Sequence, residues 1–244
     1  MGRFIESIKG FMSVKIGRAG LSIKLSKFTI FLVSIFLIII GLILINLVET
    51  EISQRNIQIE KHRKTIKNLE KKIGDQNKEL EELKEFKKLM DAIQNLSKRV
   101  LNEEEQKKLA RVVYSESKKY KYNWRMVLSV IMTESSLRAN LKSRDPSYGL
   151  MQIKYMTAKE VGNKMGITLK NKYELYNIKK NVEIGSFYLF EQILRFKNVK
   201  KGIVAYNLGP NKTSKIDKRK NGGDIETKYL KKVLGNYKYL KKEY

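Results

Sequence analysis

The acidic side chain of Glu134 closes a run in which most residues are apolar: Trp124, Val127, Leu128, Val130, Ile131 and Met132. Such a run predicts a short helix buried on most sides. Val127, Val130 and Ile131 lie seven, four and three residues before Glu134, so on a helix the carboxylate shares their stripe. A carboxylate there is disfavoured twice, by poor solvation and by the negative end of the helix dipole. It then keeps its proton to a higher pH than usual, as a general acid working near neutrality requires. Taken alone, the segment also fits a helix-end glutamate turned to water.

Composition closes off most other chemistry. The chain has no cysteine, which removes disulfides and thiolate metal sites. Its one histidine, His62, lies far from Glu134 in a charged stretch, so Ser-His, Cys-His and three-histidine zinc arrangements cannot be assembled. No glycine-rich phosphate loop is present. Neither metal nor cofactor is expected, and carboxylate chemistry remains. Asp145, eleven residues after Glu134, is the candidate second carboxylate. Facing a cleft it would position a water; its place before Pro146 also makes it a turn former.

Further groups follow Glu134-Ser135-Ser136 in order: Ser143, Gly149-Leu150-Met151-Gln152-Ile153, Thr157-Ala158, Asn181 with Gly185 and Tyr188-Leu189, then Ala205-Tyr206-Asn207 with Gly209-Pro210. In this order and spacing, the chain from about Asn102 to Tyr244 resembles the catalytic domain of the soluble lytic transglycosylases, relatives of goose-type lysozyme that cut bacterial peptidoglycan. The resemblance implies an all-α, lysozyme-like fold with one glutamate performing both proton transfers. Glu134 would protonate the glycosidic oxygen between N-acetylmuramic acid and N-acetylglucosamine while the substrate's N-acetyl group supports the cationic carbon. The ionised residue would then take the proton of the muramic 6-hydroxyl, which closes a 1,6-anhydro ring.

The same resemblance implies that Ser143 and Gln152 hydrogen-bond sugar or the N-acetyl group, that Met151 lines the cleft, and that Tyr206 brings its hydroxyl near Glu134. Asn207 joins this substrate-binding group, with the simpler role of tying its own turn; Tyr206 could likewise be a core aromatic. Glu226-Thr227 with Tyr229 is similar to a late family motif, the tyrosine coming one residue early, and makes Glu226 a further substrate contact. Two departures stand out. Pro146-Ser147 replaces the Gly-Ala frequent before the Gly-Leu-Met-Gln run, and Lys154-Tyr155 replaces the Met-Pro frequent after it. A Lys154 ammonium beside Glu134 would weaken the acid, whereas one pointing to water would not. Two other functions stay open: a hydrolytic muramidase using Asp145, and a non-catalytic bitopic scaffold that grips glycan.

The elements that position these residues can be read along the chain. Residues 1–27 carry Arg3, Lys9, Lys15, Arg18, Lys24 and Lys27 against Glu6 alone, and residues 28–48 run without a charge. That run matches the ~20 residues that cross a bilayer core. The basic flank keeps the N-terminus in the cytoplasm and places the rest on the periplasmic or extracytoplasmic side of the cytoplasmic membrane. Asn46-Leu47-Val48-Glu49-Thr50 offers no small-x-small cleavage site, so an uncleaved anchor is expected. Gly2 is followed by no myristoylation serine or threonine.

Residues 49–98 place Ile52, Ile59, Ile66, Ile73 and Leu80 at heptad spacing. The second seam has Leu69 and Leu83 but is broken by Arg55, His62 and Gln76, and beyond Leu83 the register shifts to Phe86, Met90 and Ile93. A helical stalk of ~65 Å is expected, solitary or weakly paired as a coiled coil. Residues 99–244 form the catalytic domain. In it Asn102 with Glu105 predicts a capping box, and Asn123 caps the Glu134 helix. Residues 137–148 read as a loop, and Thr157 with Glu160 as a second capping box on a short helix closed by Gly162 or Gly166. A helix over 179–196 buries Val182, Gly185, Phe187, Leu189, Ile193 and Leu194. Residues 202–207 form a short helix stopped by Gly209-Pro210, 211–223 a basic mobile loop, and 226–241 a closing amphipathic helix. No strand alternation is evident in this domain.

The net charge of +26 would suit nucleic acid, but export removes that partner. The basic excess fits an anionic wall or membrane surface, or nothing more than heavy use of lysine. The expected partners are peptidoglycan glycan strands, the cytoplasmic membrane and, through the stalk, a second copy.

Overall fold

A computed structural model describes residues 12–17 and 20–244. The chain divides into two compact units, Met1–Asn77 and Lys78–Tyr244. In the first, β1 (Met12–Gly17) and β2 (Gly20–Leu25) pair antiparallel from Met12↔Leu25 to Gly17↔Gly20. The tail reading assigned no structure here, although Val14 and Ile16, then Leu21, Ile23 and Leu25, alternate with polar residues at the strand period. The rest of that tail, residues 1–11 and 18–19 with Gly2, lies outside the described residues.

Helix α1 (Lys27–Ser97) opens where the Ser26 hydroxyl accepts the Thr29 N–H at 3.1 Å. Among the described residues it is the one helix long and apolar enough to cross a membrane, and none of that span is buried. Further along, Ile52, Ile59, Ile66 and Ile73 are each 51–56 % exposed.

The second unit starts at Lys78, not at the 98/99 boundary expected from sequence. The end of α1 belongs to its core, with Leu89, Ala92 and Ile93 fully buried. The shift of register to Phe86, Met90 and Ile93 marks where this helix exchanges a solvated seam for a packed face. Glu82 and Glu85 complete the contact. Lys118 donates to Glu82 at 2.7 Å, while Trp124 Nε1 and Arg125 Nη1 donate to Glu85 Oε2 at 3.0 and 2.9 Å.

Helix α2 (Glu103–Lys119) carries the expected Asn102–Glu105 capping box, and α3 (Trp124–Ser135) is capped by Asn123, which accepts the Arg125 N–H. The strands β3 (Ser147–Tyr148) and β4 (Ile153–Lys154) form a small hairpin. Then come α4 (Tyr155–Lys164), a 3₁₀ turn (Lys172–Tyr176), α5 (Ile178–Phe196), α6 (Val199–Leu208), α7 (Pro210–Arg219) and α8 (Lys228–Glu243). The second unit is helical apart from that hairpin, and its fold is the all-α, lysozyme-like one. α5 packs against α2, α4 and α6, and α3 packs against α8. Gly202 lets α6 approach α5 closely, since a Cβ there would come within 2.5 Å of the Ile193 backbone.

Three local expectations are corrected. α4 begins at Tyr155, so Thr157 already sits in its first turn and cannot form a capping box with Glu160; Gly166, at φ +73°, follows its C-terminal end. Gly209 and Pro210 do not end helical structure. Gly209 (φ +83°) closes α6, and Pro210 opens α7 in the first-turn place that proline favours. Residues 211–219 looked like loop because their lysines cover the exposed face of a helix that buries only Thr213 fully. Leu194, finally, is 72 % exposed in the last turn of α5.

Candidate active site

Glu134 lies in the last turn of α3, which Ser136 and Leu137 end with two consecutive left-handed residues, φ 51° and 63°. Such pairs of non-glycine residues are uncommon; the Ser136 N–H bonds the Met132 carbonyl at 3.2 Å and Leu137 is buried. Across from this end, the first turns of α8 supply Tyr229, whose hydroxyl donates to Glu134 Oε1 at 2.7 Å. Lys232 Nζ reaches the Thr133 carbonyl at 3.4 Å, and Asn236 Nδ2 donates to Thr133 Oγ1 at 2.9 Å. Burial pushes the Glu134 carboxyl up to about 7, against the smaller opposing pull of the Tyr229 hydrogen bond and the Lys232 charge.

The opposite wall is the Gly149–Gln152 turn between β3 and β4. Gly149 (φ +79°) has no room for a side chain, because a Cβ would strike the Leu175 carbonyl and the Asn181 amide. Fully buried Asn181 fixes the turn. Its Oδ1 accepts the Met151 N–H at 2.8 Å, and its Nδ2 donates to the Tyr148 and Leu175 carbonyls, both at 2.9 Å. Tyr206, from α6, donates its hydroxyl to the Met151 carbonyl at 2.6 Å. Burial, and then the nearby Glu134, keep that phenol protonated far above its usual range. Gln152 is left-handed (φ 48°), and its Nε2 donates to the Leu141 and Gly149 carbonyls.

Between these walls lies a cleft of about 450 Å³. Glu134, Ser143, Asp145, Gln152, Tyr206 and Asn207 all line it, joined by Thr157 and Tyr188. Met151 and Glu226 do not. The Met151 side chain is fully buried against Gly185 and Ser186, so it contributes its carbonyl to the Tyr206 hydroxyl and forms no cleft wall. Glu226 precedes α8, stands exposed and pairs with Lys231 at 2.9 Å, which holds its carboxyl below the usual range. Lys154 bonds Asp145 at 2.7 Å, so its ammonium neutralises that carboxylate and is not among the charges acting on Glu134. Ser143 brackets the same turn: its hydroxyl donates to the Asp145 carbonyl and accepts the Ser147 N–H at 3.1 Å.

The family model described as transglycosylase SLT domain matches residues 111–236. The chain belongs to that family. Solved structures similar to part of it include the lytic transglycosylase Slt of Pseudomonas aeruginosa as an inactive mutant (22 % identity, TM-score 0.43, 53 % of this chain and 22 % of that one). The 70-kDa soluble lytic transglycosylase SLT70 of Escherichia coli is another (21 %, TM-score 0.45, 54 % and 22 %). A third is a complex of the 70-kDa soluble lytic transglycosylase with bulgecin A (20 %, TM-score 0.45, 54 % and 22 %). The chain thus spans about a fifth of the length of these proteins. In this SLT domain, sequence reasoning left Tyr229 and Lys232 without a role beside Glu134. The available signal was Tyr229, Lys232 and Asn236 sharing one face of α8 at helical spacing.

Proposed function

We propose that the SLT domain is a peptidoglycan lytic transglycosylase in which Glu134 serves alone as acid and then as base. One observation carries this reading: a carboxyl that titrates near 7 forms part of the wall of a glycan-sized cleft. At neutral pH a large fraction carries the proton. Glu134 gives it to the glycosidic oxygen, the C1–O bond breaks, and the leaving sugar departs as an alcohol. The substrate's N-acetyl group supports the positive carbon, with Ser143, Gln152 and Asn207 as sugar contacts. The muramic 6-hydroxyl then bonds to C1 and returns its proton to Glu134, so atoms balance without water. In the intervening ionised state Tyr229 donates to the carboxylate and Lys232 supplies opposite charge. Asp145 is tied to Lys154, which favours this one-carboxylate route over hydrolysis with a second base.

The uncharged run 28–48, wholly exposed along α1, supports a single-span anchor in the cytoplasmic membrane, the basic residues inside and the SLT domain outside. The half-exposed isoleucine seam supports self-association of the stalk. Digestion of purified sacculi followed by mass spectrometry tests the reaction. The native chain releases 1,6-anhydro ends and Glu134→Gln lowers the rate by at least about 10³-fold. Reducing ends would make it a muramidase, and undiminished activity of Glu134→Gln would leave only a glycan-gripping scaffold.

A further inference from the structure

A second groove, of about 630 Å³, adjoins the cleft and shares Thr157, Tyr188 and Gly209 with it. Its remaining walls differ in kind. The cleft offers mainly hydroxyl and amide groups, whereas the groove is bounded by Glu160, Lys164, Glu191 and Arg195. Lys164 Nζ bridges Glu191 at 2.8 Å and Glu160 at 3.3 Å. Arg195, exposed in the last turn of α5, has no ion pair or hydrogen bond among the described residues. The wall also includes Gln192, only 2 % exposed, whose side-chain oxygen lacks a hydrogen-bond partner. An unpaired buried acceptor costs roughly 1–3 kcal/mol, which a ligand N–H could recover.

Neutral sugars gain little from a row of fixed charges of both signs. A peptide bearing carboxylates, amide N–H groups and an ammonium matches such a row. In peptidoglycan, peptide branches leave the muramic ring sideways from the glycan axis, and a groove that joins the cleft from the side suits that geometry. We infer that this groove binds the peptide branch of the glycan strand, Arg195 taking a branch carboxylate and the Glu160–Lys164–Glu191 set facing its ammonium and amide groups. The inference rests on the glycan-cleaving reading above. It makes the enzyme selective for strands that still carry their peptides.

The test compares the full chain in detergent on glycan strands with intact peptides and on strands stripped of them by an amidase. The native protein favours the peptide-bearing strands. Arg195→Glu lowers the ratio of kcat/KM for peptide-bearing over stripped strands by about three- to tenfold, chiefly through KM, and Arg195→Lys restores part of it. An equal loss on both substrates would make the groove a sugar subsite, and an unchanged ratio would show that it does not touch the branch; either overturns the inference and spares the glycan reading. If the native protein cuts neither polymer, both readings fall together.

Discussion

Three forces meet at the Glu134 carboxyl, and their signs set its pH behaviour. Burial raises its pKa, while the Tyr229 hydroxyl and the Lys232 ammonium lower it, leaving about 7. Activity that needs the protonated form therefore declines as pH rises past about 7. Tyr229→Phe removes one of the two opposing influences, so the alkaline limb of the pH–kcat/KM profile moves to higher pH, by about half a unit to one unit. A limb that stays in place would mean Tyr229 does not bond the carboxylate in solution. The same group links to stability. A carboxyl whose folded pKa lies above its unfolded value binds more protons folded than unfolded, so folding weakens as pH climbs from about 4.5 through 7. Full ionisation costs about 3 kcal/mol on this basis. Denaturant unfolding should thus find Glu134→Gln more stable than the native protein by about 2–3 kcal/mol near pH 9, with little gain near pH 4. Equal differences at both pH values would sever the carboxyl from the fold. Glu134 itself was legible because its apolar stripe is encoded within one helix. Tyr229 was not, since its bond to Glu134 spans 95 residues of sequence.

Individual helices show where local rules hold and where tertiary packing overrides them. The caps at Asn102 and Asn123 follow from side chains acting two or three residues away, and the sequence states them directly. The end of α1 is different. Its lysines and glutamates read as more stalk, yet its other face enters the core of the second unit through Leu89, Ala92 and Ile93. Partial burial alone would push the Glu85 carboxyl up, but hydrogen bonds from Lys88, Arg125 and Trp124 together outweigh it and hold it at about 2. A fragment of residues 78–244 should therefore unfold cooperatively in denaturant. Residues 99–244 lack those buried side chains and lose roughly 3–5 kcal/mol or more, enough to leave most of the fragment unfolded. Equal midpoints for the two fragments would make the α1 segment an accessory. α7 was misread for the converse reason: ten residues with lysines on an exposed face and few apolar anchors carry the composition of a loop.

Across the whole chain, the organisation was legible wherever one physical demand dominated a long stretch. An uncharged run of membrane-spanning length and a seven-residue repeat need no tertiary knowledge to recognise. Isoleucine at the repeated seam favours two parallel strands, and Arg55, His62 and Gln76 in the partner seam limit their strength. Ile59→Lys combined with Ile66→Lys should lower chemical cross-linking between copies in vesicles by about fivefold, and undiminished cross-linking would assign any pairing elsewhere.

One detail of the joint between α1 and the SLT domain offers an optical consequence. The chain has a single tryptophan, Trp124, which is 3 % exposed with its ring nitrogen bonded to Glu85. Its fluorescence reports on that joint without an added label: blue while the helix end is seated, red-shifted and quenchable by iodide once water reaches the ring. Detachment of the helix from the domain thereby becomes visible in real time, separately from loss of the fold, which circular dichroism follows.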